Sequence, residues 1–389
     1  MKHWPTKPLA DIATVVRGVS FDKSQVSDEA RKNSIPILRA GNIQDSLLTD
    51  FDLVYVPEEL VSEEQQMRRG DLAICMSSGS PTIVGKTAHL DSDWRGSVGA
   101  FCAIVRFNAN FHHRFGSYWF RSPAFLQWRD SNAKGANIQN LRRAELERLS
   151  VPVPSFLEQD RIVKLLDEAD ELRKLRAQSD RRTANLIPAL FHEMFGDPLV
   201  NSGGWPTREL RQLGRVVTGG TPPSAKEGMF AGDIPFITPG DLDSNTRETQ
   251  RYVTEAGAAE VRIVRAGSTL VCCIGATIGK TDRTWKRSAF NQQINAVEWD
   301  EQIDDDFGIV CMKQCSGVVI RHGSSTALPI LKKSLFERIQ IPVPPLPLQK
   351  DFAVRVTEIR AVQTEQSASR KRLDDLFQSM LHRAFEGEL

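Results

Sequence analysis

The sequence predicts an α+β protein: two globular domains with substantial β-sheet, separated by two long antiparallel helices that form a coiled coil, the halves being related by an internal pseudo-two-fold repeat. Three observations lead there. Short segments recur in the same order in both halves, each half ends in a long helical stretch, and the chain before each stretch alternates short apolar runs with Gly, Pro and Asp.

The repeat comes first, because a missed duplication misreads an architecture. Trp4-Pro5-Thr6 returns as Trp205-Pro206-Thr207, and Ile35-Pro36-Ile37 with Gly41-Asn42-Ile43 returns as Ile234-Pro235-Phe236 with Gly240-Asp241-Leu242. Arg69-Gly70-Asp71-Leu72 matches Ala266-Gly267-Ser268-Thr269, and Val84-Gly85-Lys86-Thr87 matches Ile278-Gly279-Lys280-Thr281. Loop deletions shorten the spacing until Val151-Pro152-Val153-Pro154 meets Ile341-Pro342-Val343-Pro344, after which the register holds to Phe195 and Phe385. A register free of insertions over that length points to a helix rather than loops.

The expected order is a first domain over 1–155, a helix over 156–196, a second domain over 197–345 and a helix over 346–389. The strand expectation rests on runs such as Leu72 to Met76, Ala103 to Phe107 and Thr269 to Ile274. Prolines at 154, 344, 345 and 347 mark the helix starts. Helix-pair packing is assigned to Ile162, Leu165, Ala169, Leu172, Leu186 and Leu190 in the first helix. In the second it is assigned to Phe352, Val356, Ile359, Val362, Leu373, Leu376 and Met380. The middle of each helix is polar on the same face, Arg176, Ser179 and Thr183 aligning in the repeat with Gln366, Ser369 and Leu373, so a weak, polar central seam is expected. A helix of about 35 residues spans about 50 Å. Reading domains on DNA must sit about 34 Å or a multiple apart, so such a pair suits a ruler between two half-site readers.

The 389 residues carry 40% apolar and 25% charged side chains and a net charge of +1, an ordinary globular balance that neither favours nor forbids an acidic partner. No apolar run could span a bilayer and Met1 to Pro5 lacks a signal-peptide core, so a cytoplasmic protein is expected. Cys75, Cys102, Cys272, Cys273, Cys311 and Cys315 form no disulfide framework or zinc spacing and are read as small hydrophobes, with no metal.

Enzyme readings fail on spacing. Gly79 to Gly85-Lys86-Thr87 and Gly275 to Gly279-Lys280-Thr281 miss the phosphate-loop pattern by one residue in opposite directions. No amino-methyltransferase signature, HExxH pair or GxSxG elbow occurs, so no catalytic residues and no cofactor are assigned to this chain.

The residues match a family. Gly70-Asp71-Leu72-Ala73-Ile74, Gly85-Lys86-Thr87 and Gly135-Ala136-Asn137-Ile138-Gln139-Asn140-Leu141 resemble the target recognition domains of type I restriction-modification specificity subunits. Val151-Pro152-Val153-Pro154 with Glu158-Gln159-Asp160-Arg161, and Ile341-Pro342-Val343-Pro344-Pro345 with Gln349, are similar to that family's junctions into its two helices. Met194-Phe195-Gly196-Asp197-Pro198 and Ala384 to Leu389 resemble the helix ends, and Asn291 to Ala296 a strand segment. The resemblance implies double-stranded DNA as ligand, two S-adenosylmethionine-dependent adenine methyltransferase subunits as partners, and optionally two restriction subunits using ATP and Mg. The alternatives are a subunit of a fused-type system or stand-alone methyltransferase, and a scaffold that does not bind DNA.

Readers of sequence combine Lys or Arg on phosphates with polar side chains on base edges. The DNA-binding candidates in the first domain are Ser77, Ser78, Ser80, Lys86, Lys134, Asn137, Gln139, Asn140 and Arg142. In the second they are Thr277, Lys280, Arg283, Lys286, Arg287, Gln292, Gln293 and Lys332, with Ser324 to Pro329 standing where the first domain has its Asn137 to Asn140 loop.

Overall fold

A computed structural model describes residues 4–80, 82–135, 138–242, 246–323 and 329–389. The chain divides into two compact units, Met1–Arg176 with Ser369–Leu389, and Ala177–Ala368.

In the first unit the strands are β1 (Thr6–Pro8), β2 (Ala13–Arg17), β3 (Ser34–Leu38), β4 (Val54–Pro57), β5 (Leu72–Cys75), β6 (Ser77–Ser78), β7 (Thr87–His89), β8 (Ser97–Val98), β9 (Cys102–Phe107), β10 (Gln139–Asn140) and β11 (Ser150–Pro152). They form an antiparallel sheet β2-β9-β5-β7, a sheet β4-β3-β8 whose β3 and β8 run parallel, and the pairs β1-β11 and β6-β10. In the second unit they are β12 (Thr207–Glu209), β13 (Gly214–Thr218), β14 (Phe230–Ile237), β15 (Tyr252–Val253), β16 (Ile263–Val264), β17 (Thr269–Cys272), β18 (Thr281–Arg283), β19 (Ser288–Phe290), β20 (Ile294–Trp299) and β21 (Gln340–Pro342). Their orders, β13-β20-β17-β18, β15-β14-β19-β16 with β14 and β19 parallel, and β12-β21, repeat the first unit's plan.

The apolar runs are strands because both faces of the central sheet are covered. Leu72 and Ile74 of β5, with Ala103 and Val105 of β9, enter one core cluster, while Ala73, Cys75, Cys102 and Ile104 enter another. The second unit divides likewise, Val271 and Val297 on one side, Leu270, Cys272, Ile294 and Ala296 on the other. Each period-two alternation is apolar at every step, so the sequence reads as a continuous run. All six cysteines are buried and free, and burial pushes the Cys273 thiol up to about 12.

The stretch expected as one helix over 156–196 is two, Phe156–Ala184 and Leu186–Phe195. Pro188 has no N–H to bond the carbonyl one turn back and fits only a first helical turn, so the helix restarts at Leu186. The last helix, Leu346–Phe385, is continuous and carries Pro347 in its first turn.

Of the residues assigned to helix packing, Ile162, Ala169, Phe352 and Val356 are buried, and the rest of the assigned face is shifted in phase. Ile162, Leu166 and Ala169 are buried with Phe377, Leu381 and Ala384 in the first unit, and Phe191 and Phe195 with Phe352 and Val356 in the second. Leu172, Leu186, Val362 and Leu376, assigned to packing, are instead exposed. Leu165, Leu190, Ile359, Leu373 and Met380 are half-buried. At ~100° per residue Leu172 lies about 80° around the helix from Ile162. The domain core seats Ile162 and Leu166 and so fixes the rotation.

Within each unit the paired segments run antiparallel. Arg161 bonds the Leu389 carbonyl and Arg173 Nε donates to Asp374 Oδ1 at 2.7 Å in the first unit. Gln363 Nε2 donates to the Thr183 carbonyl at 3.0 Å in the second. Arg173 thus faces inward, its guanidinium 4.5 Å from the Phe377 ring centroid, and the seam is polar there.

Two buried glutamines anchor the helix starts. Gln159 accepts from His112 N (2.8 Å) and donates to Pro154 O (2.9 Å). Gln349 accepts from Asp304 N (2.9 Å) and donates to Pro344 O (2.8 Å) and Gln302 O (3.1 Å). They occupy equivalent positions in the repeat, which gives the Gln159 and Gln349 junction motifs a structural reason.

Candidate nucleic-acid interface

β5 ends at Cys75, and the chain continues through Met76 into β6, which pairs with β10 in the register Ser78 to Gln139 and Ser77 to Asn140. Met76 O accepts from Leu141 N at 2.8 Å, and a bridge joins Lys134 to Asn140. The pairing therefore gathers Ser77, Ser78, Lys134, Gln139 and Asn140, residues from distant parts of the sequence. Ser80 stays local, its Oγ 3.0 Å from Thr82 Oγ1, and exposed Arg142 precedes the helix Arg143–Glu147. Lys86 Nζ reaches Gln44 Oε1 at 3.4 Å. Asn137 and Ser324 to Leu328 lie outside the described residues.

β6 borders an open groove of about 650 Å³ whose lining includes Phe21, Arg39, Ser77, Ser78, Phe101 and Ile138. Arg39 is paired with Asp52 at 2.6 Å. Sequence reasoning missed Phe101 and Ile138, because an apolar residue in a strand-rich domain is first counted as core. Both are exposed, at 68% and 54%. A strand-by-strand alignment of the two halves would have flagged Phe101, since a glutamine takes its place in the second copy.

In the second unit, Leu331 N donates to Cys273 O and Cys273 N to Gln293 O, each at 2.8 Å. The β17–β18 connection carrying Thr277 and Lys280, the Asn291 to Gln293 turn and Lys332 therefore converge on Cys273. The turn is internally bonded, with Gln293 N on Asn291 Oδ1 and Asn291 Nδ2 on Gln293 Oε1 at 3.1 Å, while Gln292 Oε1 accepts from Thr221 Oγ1 at 2.8 Å. Thr277 Oγ1 lies 3.3 Å from Cys272 Sγ.

The other candidates lie elsewhere. Arg283 sits at the opposite end of the hairpin, opposite Thr269 and paired at 2.5 Å with Asp306, its guanidinium 4.8 Å from the Trp285 ring centroid. Exposed Arg287 pairs with Glu255 at 2.7 Å, and exposed Lys286 precedes it just before β19.

The Gly-Lys-Thr repeats are hairpin turns. Gly85 and Gly279 take φ of +76° and +89°, where a Cβ is strained, and their amides donate to Cys75 O (2.8 Å) and Cys272 O (2.9 Å). Those amides are occupied by the hairpin rather than turned to a phosphate.

Where the first domain meets its helix, Asp167 accepts from Tyr118 Oη at 2.6 Å and from Arg114, which also reaches Asp91. A hydrogen bond from His89 holds the Asp91 carboxyl below its usual range. Burial lowers His112 and His113 below the usual histidine value, and the Nδ1 atom of each is buried without a partner among the described residues. Among the described residues no His, Cys, Asp and Glu cluster could hold a metal, and no helix is long and apolar enough to cross a membrane.

The sequence model of the family described as "Type I restriction modification DNA specificity domain" matches residues 1–180 and 202–372. The type I restriction enzyme StySPI specificity subunit of Salmonella potsdam is 36% identical over 183 residues, 47% of this chain and 38% of that protein. The EcoKI specificity subunit of Escherichia coli (strain K12) is 35% identical over 164 residues, 42% of this chain and 35% of that protein. Those alignments thus span well under half of each relative's length. A chain solved in work on complex assembly and conformational transition of the type I R-M system shares the fold, with a TM-score of 0.63 at 17% identity over 99% of this chain and 98% of that one. The duplicated sheets are the product of two copies of one domain, and through both of them this chain belongs to the type I restriction modification DNA specificity domain family.

Proposed function

We propose that the chain is the DNA sequence-recognition subunit of a type I restriction-modification complex, reading a bipartite asymmetric target with one half-site per domain. One observation carries the reading: the two copies keep a common strand plan while the exposed side chains around β6 and around Cys273 differ. Shared scaffolds with divergent surfaces suit two half-sites of unlike sequence. The chain contributes binding, and the chemistry belongs to two adenine methyltransferase subunits using S-adenosylmethionine and, where present, two restriction subunits using ATP and Mg.

Partner docking is supported by the exposed helix side chains. Leu172 and Leu175 stand out of the first helix and Leu376 out of the last, with Glu168, Glu171 and Lys174 around the first pair. Scattered exposed leucines need no explanation, but adjacent ones with a charged rim fit a protein contact. The helices set the spacer between half-sites, so inserting one turn at matching points of both should lengthen the spacer and leave the half-sites unchanged.

The test is methylation mapping in cells that express this chain with a neighbouring methyltransferase, exchanging one domain at a time. A bipartite adenine motif changing in one half per exchange supports the reading. No methylation, together with no salt-sensitive duplex binding by the complex, overturns it in favour of a scaffold.

A further inference from the structure

We infer that the backbone position held by Phe101 in the first domain and Gln293 in the second determines specificity, Phe101 reading a thymine through its 5-methyl group and Gln293 reading a base by hydrogen bonding. The inference rests on the recognition function proposed above and names residues that perform it.

The two residues are structural twins. Phe101 O accepts from Met76 N at 2.8 Å, and Gln293 O accepts from Cys273 N at 2.8 Å. In both copies the same neighbours close the arrangement, Leu141 N on Met76 O and Leu331 N on Cys273 O. The side chain is the difference.

The first copy presents an aromatic ring on a rigid mount. Phe101 O accepts a second bond from Ser77 N at 3.1 Å, Gly99 N donates to Leu38 O, and Cys102 N donates to Gly99 O. A Cβ on Gly18 would stand 2.1 Å from Gly99 O, so β2's end and this loop meet backbone to backbone. On that mount the ring is 68% exposed, against a groove shared with Ile138 and the β6 serines. Exposing a large aromatic side chain on an immobilised loop prepays the ordering cost of binding.

The occupant follows from the chemistry of the groove. Among the described residues that line it, the one guanidinium, Arg39, is already paired with Asp52, so the apolar surface of Phe101 and Ile138 is what the groove offers beside the hydroxyls of Ser20, Ser77 and Ser78. In the major groove, the apolar feature of a base pair is the thymine methyl, while serines accept or donate to neighbouring edges. The glutamine of the second copy carries the amide fork that matches adenine, and its Oε1, which accepts from Asn291 Nδ2 at 3.1 Å within the turn, exchanges that bond for the base.

The probe is a set of duplexes carrying the mapped target, with each thymine of the first half-site replaced in turn by uracil, which removes the methyl alone. The protein is the complex with its methyltransferase. One replacement should weaken wild-type binding about fourfold, the worth of one buried methyl. Phe101→Ala should bind thymine and uracil duplexes equally at that position and leave the second half-site unchanged, and Gln293→Ala should relax one base pair of the second half alone. A first half-site without thymine, uracil duplexes all bound like the parent, or a uracil penalty that persists in Phe101→Ala would overturn the assignment. The uracil series on the wild-type complex needs no variant to fold. Salt-sensitive, target-specific binding that ignores uracil would sink this assignment while leaving the recognition function standing.

Discussion

Replacing Gln349 by leucine tests how the second domain is joined to its helix. The side chain is fully buried and makes three hydrogen bonds, to Asp304 N, Pro344 O and Gln302 O. Leucine fills most of the volume and makes none of them. At about 1 kcal/mol net per bond, and more where a buried backbone group is stranded, the loss should be about 3 kcal/mol. Gln159→Leu removes two bonds, to His112 N and Pro154 O, and should cost about 2 kcal/mol. Urea denaturation of each purified variant, followed by hydrogen exchange to locate the loss, gives both numbers. Exchange should quicken around 302–304 and 344–349 for one variant and around 112 and 154–159 for the other. A loss under about 1 kcal/mol for Gln349→Leu with an unchanged denaturant slope would refute the reasoning, since it would mean water satisfies the freed groups as well as glutamine does.

Phe377→Ala removes a fully buried ring and should destabilise by about 3–5 kcal/mol, with exchange rising in residues 1–176 rather than 177–368. Leu172→Lys combined with Leu376→Lys should change stability by no more than about 0.5 kcal/mol per site, yet sedimentation should show weakened assembly with the methyltransferase. His112 and His113 are held below the usual histidine value by burial, so the unfolded chain takes up their protons first on acidification. Their contribution is complete above about pH 6.5 and is lost as pH falls from there through their folded values, a slope that denaturation between pH 7.5 and 5 should show and that His112→Phe with His113→Phe should flatten.

The strands were legible because burial on both faces writes an apolar residue at every step, and the duplication was legible because Trp4 and Trp205, or Pro152 and Pro342, keep their places. The helix phase was legible only in part. Ile162 and Ala169 were assigned to packing and are buried, but Leu165 and Leu172 continue the three-and-four spacing from them as regularly as Leu166 does, and only the domain's own core selects Leu166. The candidate site was half legible: Ser77, Ser78, Gln139 and Asn140 are brought together by a strand pairing whose partners are far apart in sequence. Arg283 looked like a phosphate contact because its partner Asp306, far away along the chain, could not be guessed from spacing.

The first unit takes its core from both ends of the numbering, residues 1–176 with 369–389. On a ribosome, Phe377, Leu381 and Ala384, which fill that core, are made roughly 200 residues after the strands they cover, a delay of about 10–40 s at typical rates of synthesis. The domain made first is therefore the one finished last. Residues 177–368 can close their own core in the meantime, while the earlier half waits with an apolar surface open to chaperones, so a premature stop near residue 369 should leave a sound second domain attached to an unfinished first one.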